Sequence, residues 1–259
     1  GSEADALDAL LAATPDQLVA AQTAVGLIDR LGRDADHPID GTGEGPHPNI
    51  DGVVVTRSPR DAIREKGAAN VPLIIGTNLE EGTLFGLLLP QDVPVGTIVE
   101  SVGPTAANPQ AILDAVTAST TGRPLLVDLM TDAVFRIPSL RAADEQAAAG
   151  APVWVYLFSW RTPVFGGMLG ATHALELPFV WDMTSDPNWQ FLVGENPPAA
   201  LSAAMRDSWL SFAHTGDPNG AGLPHWPVYD TATRPTFEFG DELRVVPDPG
   251  RALREAWYS

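Results

Sequence analysis

Residues 152–160, Pro-Val-Trp-Val-Tyr-Leu-Phe-Ser-Trp, decide the fold. Successive side chains of an extended chain point to opposite faces, so Val153, Val155 and Leu157 fill one side and Trp154, Tyr156 and Phe158 the other. Neither side can be left in water. A strand that must be covered on both faces belongs to a parallel sheet sandwiched between helices. A second apolar run, Val71-Pro-Leu-Ile-Ile-Gly76, is bounded by turn formers and too short for a helix, and reads as another buried strand over 72–77. The chain between the two contains helical stretches, as a right-handed parallel crossover needs. The expectation is an α/β fold, a mostly parallel central sheet flanked by helices.

Punctuation residues set the rest. Thr14-Pro15-Asp16-Gln17 has the form of a helix start, with Thr14 as cap, proline in the first turn and Gln17 three residues after the cap, and predicts a helix to about Arg30. Residues 32–52 hold five glycines, three prolines and four aspartates and predict a long surface loop. Ser58-Pro59-Arg60-Asp61 predicts a second, short capped helix that Gly67 can end. Further helices are expected over 83–89, 109–118 and 124–149, the last interrupted at Pro138, whose ring cannot continue the hydrogen-bond ladder. Residues 90–106 read as a loop, 199–214 as an amphipathic helix stopped by Gly216, and 237–246 as an edge hairpin before a final helix.

Composition excludes several classes of function. The net charge of −18 repels nucleic-acid phosphates and anionic membrane surfaces, and no window offers the about 18 uninterrupted apolar residues of a membrane span. With no cysteine there is neither a disulfide nor a thiolate metal site within the chain, and the expected compartment is reducing, the cytoplasm. Gly1-Ser2 reads as a remnant of cloning.

Functional groups in such sheets sit in the loops that leave the carboxyl ends of the strands. Strand 72–77 is followed by Asn78-Leu79-Glu80-Glu81-Gly82, and strand 152–160 by a glycine-containing loop that leads to Thr172-His173-Ala174-Leu175-Glu176-Leu177-Pro178-Phe179. A carboxylate and an imidazole are thus offered at one sheet edge. A carboxylate on one imidazole nitrogen fixes the tautomer, and the other nitrogen can then remove a hydroxyl proton. The spacing alone leaves a plainer alternative open, in which Glu81 caps the helix after Gly82 and His173 is an ordinary loop histidine. His37 and His47, among acidic residues of the 32–52 loop, match no metal-ligand spacing and read as surface residues, while His214 and His225 read as structural.

Three stretches resemble the type-B carboxylesterase and cholinesterase family of α/β-hydrolases. They are Val71-Pro-Leu-Ile-Ile-Gly-Thr-Asn-Leu-Glu-Glu-Gly82, Gly170-Ala-Thr-His-Ala-Leu-Glu-Leu-Pro-Phe-Val180, and Trp209-Leu-Ser-Phe-Ala-His-Thr-Gly-Asp-Pro-Asn219 with Trp226-Pro-Val-Tyr229. Asn49-Ile-Asp-Gly52 with Ser58-Pro59 resembles the stretch that precedes the acid segment. The resemblance implies that Glu81 is the triad acid and His173 the base, with Glu80 a solvated neighbour, and places Leu84 and Phe85 where such enzymes line the acyl pocket. It implies a carboxylic ester hydrolase working through an acyl-enzyme, with no cofactor and a small ester as substrate.

The family's chain order is serine, then acid, then histidine. Upstream of Glu81 the only serines are Ser2 and Ser58, neither in a nucleophile elbow, and no G-x-S-x-G occurs in the 259 residues. The resemblance therefore makes residues 1–259 the C-terminal portion of a single α/β-hydrolase domain. Its partner is the N-terminal half of the same enzyme, which carries the serine and the oxyanion hole. Such a half leaves an open strand edge and bare apolar faces, and alone it is expected neither to fold stably nor to turn over an ester. The rival readings are a catalytically inactive cholinesterase-like module that binds protein, and a lactonase, thioesterase or amidase on the same triad.

Overall fold

In the computed structural model of the chain, the described residues are 3–24, 50–65, 71–86, 108–119, 124–220 and 222–259. In chain order they form α1 (Glu3–Ala12), α2 (Pro15–Ala24), α3 (Pro59–Arg64), β1 (Leu73–Asn78), α4 (Gly82–Gly86), α5 (Pro109–Ser119) and α6 (Leu125–Met130). A π-helical turn over Thr131–Arg136 leads into α7 (Ile137–Ala148), followed by β2 (Val153–Phe158), α8 (Leu177–Val180), α9 (Gln190–Val193), α10 (Ala199–Thr215), β3 (Pro235–Phe239), β4 (Leu243–Pro247) and α11 (Arg251–Tyr258). The expected helix end at Arg30, most of the 32–52 loop with His37 and His47, Gly67, and the 90–106 loop lie outside the described residues.

The four strands lie in the order β1-β2-β3-β4. β1 and β2 are parallel, from Leu73 opposite Val153 to Asn78 opposite Phe158. β3 adds parallel to β2, and the antiparallel hairpin to β4 closes that side. Both faces of β2 are covered, as its sequence demands. Val153 and Val155, with Leu73 and Ile75, pack on Leu140, Ala143 and Ala147 of α7. Trp154 and Phe158, with Phe237 and Phe239, pack on Phe179 and Val180 of α8 and on Leu201 and Met205 of α10. Among the described residues nothing pairs with the outer side of β1, where Leu73, Ile74 and Ile75 are only half-buried and Val71 is 61% exposed.

Local signals carry through. Gln17 N–H donates to Thr14 Oγ1 (3.3 Å) and Thr14 N–H to the Gln17 side-chain oxygen (2.9 Å), a reciprocal cap on α2. Ser58 caps α3 by accepting from Asp61 N–H at 3.1 Å. Gly216 ends α10 in the left-handed conformation (φ 75°), its N–H on the Phe212 carbonyl at 2.8 Å. Asn219 grips the Trp226 backbone with both ends of its amide, so the third motif stretch is a structural turn. The histidines of that region, His214 and His225, are exposed.

One expectation fails. The helical run does not break at Pro138 but continues from Leu125 to Ala148. The π turn before α7 resets the ladder, so Pro138 falls in the first turn of a new α-helix, where no N–H partner is required. Among the described residues no helix is long and apolar enough to cross a membrane.

Phe179, fully buried with its ring 5.3 Å from Phe158 and 5.0 Å from Trp160, pins α8 to the sheet just beyond His173. Phe179→Ala is expected to destabilise the protein by about 3–5 kcal/mol, measured as a lowered midpoint in denaturant unfolding with unchanged slope.

Candidate active site

Because Asn78 and Phe158 are level in the β1–β2 register, the turn after β1 and the loop after β2 leave the sheet side by side. Glu81 ends the first turn and is 5% exposed. Its Oε1 accepts the Asn78 N–H at 2.8 Å, and its Oε2 lies 2.7 Å from Nδ1 of His173. Glu81 therefore does not cap the helix after it: the first N–H of α4, on Gly82, donates to the hydroxyl of Thr131 at 2.9 Å. The carboxylate is left to the imidazole. The side chain of His173 is 38% exposed against 7% for Glu81, so the imidazole reaches the solvent and the carboxylate does not.

The acid and the base are braced by shared neighbours. Asn78, fully buried, uses its side-chain amide to donate to the Thr172 carbonyl (2.7 Å) and to Glu176 Oε2 (2.5 Å), on either side of His173 in sequence. The Thr83 hydroxyl sits 2.8 Å from the hydroxyl of Thr172 and 2.6 Å from the Leu169 carbonyl, which ties α4 to the same loop. Ala174, immediately after the histidine, has a left-handed backbone (φ 65°) that turns the chain back toward α8.

Phe85 of α4 lies with its ring centre 5.1 Å from the imidazole, and Leu84 is half-buried on the same helix. Sequence reasoning missed Phe135, whose ring is 5.0 Å from His173 and 6.0 Å from Phe85. It missed why Phe135 is there, too: the π turn carries Thr131, which holds Gly82, and Arg136, which donates to the Leu79 carbonyl at 2.8 Å, so one turn braces the acid and walls the base. The only signal in the sequence was Pro138 inside a helical pattern. Glu80 is not a solvated neighbour. It is 3% exposed, ion-paired with Arg161 at 2.9 Å and bonded to the Ala171 N–H at 2.5 Å, because a carboxylate taken out of water needs donors on both oxygens.

Electrostatics reflect the contacts. The hydrogen bond that His173 donates to Glu81 holds its pKa above the ordinary histidine value, burial pulls it down, and the charges of Glu81 and Glu176 add to the rise. Burial raises the Glu176 carboxyl, opposed by its bond from Asn78. A neutral imidazole whose Nδ1 faces a carboxylate has Nε2 left to take a proton from a hydroxyl, the chemistry of a general base. Among the described residues no group of three or more His, Cys, Asp or Glu could hold a metal ion.

A model of the carboxylesterase family matches residues 2–253. The chain belongs to the carboxylesterase family. It is 31% identical to a liver carboxylesterase of Sus scrofa over 209 residues, 70% of this chain and 35% of that protein. It is 30% identical to the para-nitrobenzyl esterase of Bacillus subtilis over 226 residues, 80% of this chain and 42% of that one. Among solved structures it is similar to the Geobacillus stearothermophilus carboxylesterase EST55, with a TM-score of 0.72 at 34% identity over 96% of this chain and 50% of the other. The chain thus spans well under two thirds of these relatives, and its partial sheet is part of their α/β-hydrolase fold.

In the folded protein Glu81→Gln removes the main cause of the raised His173 pKa, so the imidazole is expected to titrate at lower pH than in the parent, monitored by NMR. A raised folded pKa stabilises fully below the unfolded histidine value, and that stabilisation is lost as pH rises through the folded one. The parent's advantage over Glu81→Gln is therefore expected to be larger at pH 5 than at pH 9.

Proposed function

We propose that this chain is the acid-and-base portion of a serine carboxylesterase. The observation that carries the reading is the 2.7 Å bond between Glu81 and His173 at the ends of two adjacent parallel strands, in a chain of the carboxylesterase family. A serine hydroxyl attacks the ester carbonyl while Nε2 of His173 takes its proton. Glu81 holds the imidazole in the right tautomer and stabilises the cation. The imidazolium returns the proton to the departing alcohol, leaving an acyl-serine. Water then attacks that ester, its proton passing through His173 in the same way, and the carboxylic acid leaves with the serine restored. Phe85 and Phe135, with Leu84 beside them, wall the acyl side of the site, which favours small or flat apolar acyl groups.

The serine and the oxyanion-binding amides belong, in this reading, to a polypeptide segment upstream of this sequence. Three observations support that assignment. No G-x-S-x-G precedes Glu81. The chain covers half of the EST55 structure. β1 has an unpaired outer edge with half-buried aliphatic residues among the described ones, the place for another strand of the same sheet.

The test is hydrolysis of p-nitrophenyl acetate by this chain combined with its upstream portion. A burst of one nitrophenol per active site is expected, abolished by His173→Ala, with turnover lowered about 10⁴-fold by Glu81→Gln. Full activity in His173→Ala would remove the base from the mechanism, and no hydrolysis by the combined parent would leave a binding module as the better reading. The upstream portion alone is expected to show no burst.

A further inference from the structure

The two adjacent glutamates divide the work of the β1 turn, and the second task has no counterpart in the triad chemistry. Beyond the end of β2 at Phe158 the chain makes an excursion from Arg161 to Ala171, two residues before His173, and the neck of that excursion is closed by the Thr162 N–H on the Gly170 carbonyl (3.2 Å). Glu80 holds both ends of that neck. Its Oε1 pairs with Nη2 of Arg161 at 2.9 Å, and its Oε2 accepts the Ala171 N–H at 2.5 Å. Its own N–H donates to the Ala171 carbonyl at 3.0 Å, so residues 80 and 171 are bonded in both directions. Gly170 has φ +59° and approaches so closely that a Cβ there would overlap Glu80 Oε2. Only glycine leaves room for the carboxylate. Glu80 is one residue from the acid, and Ala171 is two residues from the base.

We propose that Glu80 is a positioning residue: by clamping the neck of the 161–171 excursion, from which the chain runs directly into His173, to the turn that carries Glu81, it sets the distance at which acid and imidazole meet. Only a carboxylate can do this. Its two oxygens accept from two donors at once, whereas a glutamine offers one oxygen and turns an N–H toward the other donor. Without the clamp the loop relaxes on its Arg161 side and the Glu81–His173 bond lengthens. The charged groups that face His173 among the described residues are Glu81 from the β1 turn and Glu176 from its own loop, with Phe85 and Phe135 against the ring and its open side toward solvent. Glu80 thus acts on the imidazole through geometry.

The proposal rests on the esterase reading only for its rate readout. The experiment takes the enzyme complete with its upstream portion and compares Glu80→Gln with Arg161→Met. The second variant changes a side chain that is 54% exposed and so spares the core. The titration of the His173 imidazole is monitored by NMR, and kcat and KM on p-nitrophenyl acetate are measured per active site counted from the burst. In Glu80→Gln the His173 pKa is expected to fall by about half a unit or more. kcat should fall about tenfold or more with KM nearly unchanged, and the acid limb of the pH profile should move down with the titration. Arg161→Met should show smaller changes in the same direction, and it decides the matter if Glu80→Gln does not fold. An unchanged His173 titration and unchanged kcat per site, with only the unfolding temperature lowered, would overturn the proposal and make Glu80 a stability residue. A shifted titration in an enzyme whose His173→Ala variant still turns over ester would overturn the role of His173 as the base and uphold the clamp.

Discussion

Parallel pairing of Leu73–Asn78 with Val153–Phe158 is the constraint on which the rest depends. It brings two strand ends level, so the turn leaving β1 and the loop leaving β2 must meet. A slip of one residue would turn every side chain of β1 to the opposite face and carry Asn78 away from Thr172. The register is held from both sides of the sheet, by the aliphatic packing of α7 and by the aromatic layer under α8 and α10. The polar site is therefore built on rigid apolar layers, as positioning of a proton-transfer pair to a few tenths of an ångström requires.

Around that register the molecule places a dense set of buried polar links. Glu80, Glu81, Asn78, Thr83 and Thr131 are each less than a tenth exposed. Each bond lost among such groups costs about 1–3 kcal/mol, so their bonds favour one arrangement of the two loops. The π turn is part of the same design. Widening one helical turn lets Thr131, Phe135 and Arg136 serve the acid, the base and the intervening backbone together, and π turns are often found where a helix meets a functional site.

The other side of β1 carries the opposite message. Among the described residues β1 is an edge strand with half-buried aliphatic residues, which leaves unpaired backbone groups and part of the hydrophobic driving force unused. In the proposed reading that edge is the place for the upstream part of the same fold.

Local physics encodes the part that the sequence determined by itself. The two-faced strand 153–158, the caps at Thr14 and Ser58, the stop at Gly216 and the offer of Glu81 and His173 at one sheet edge all come from spacing within a few residues. The tertiary structure decided the rest. Gly82 meets Thr131 across 49 positions, Glu80 meets Ala171 across 91, and Asn78 meets Glu176 across 98. No period or cap marks such partners. Two neighbouring glutamates look alike as letters, yet one faces an imidazole and the other an arginine and a backbone amide. Likewise Pro138 announced a broken helix, yet the run continues through a π turn whose Thr131 and Arg136 hold the β1 turn. Burial and pairing belong to the assembled sheet, because a carboxylate loses its water only when the segments on both sides of it have closed.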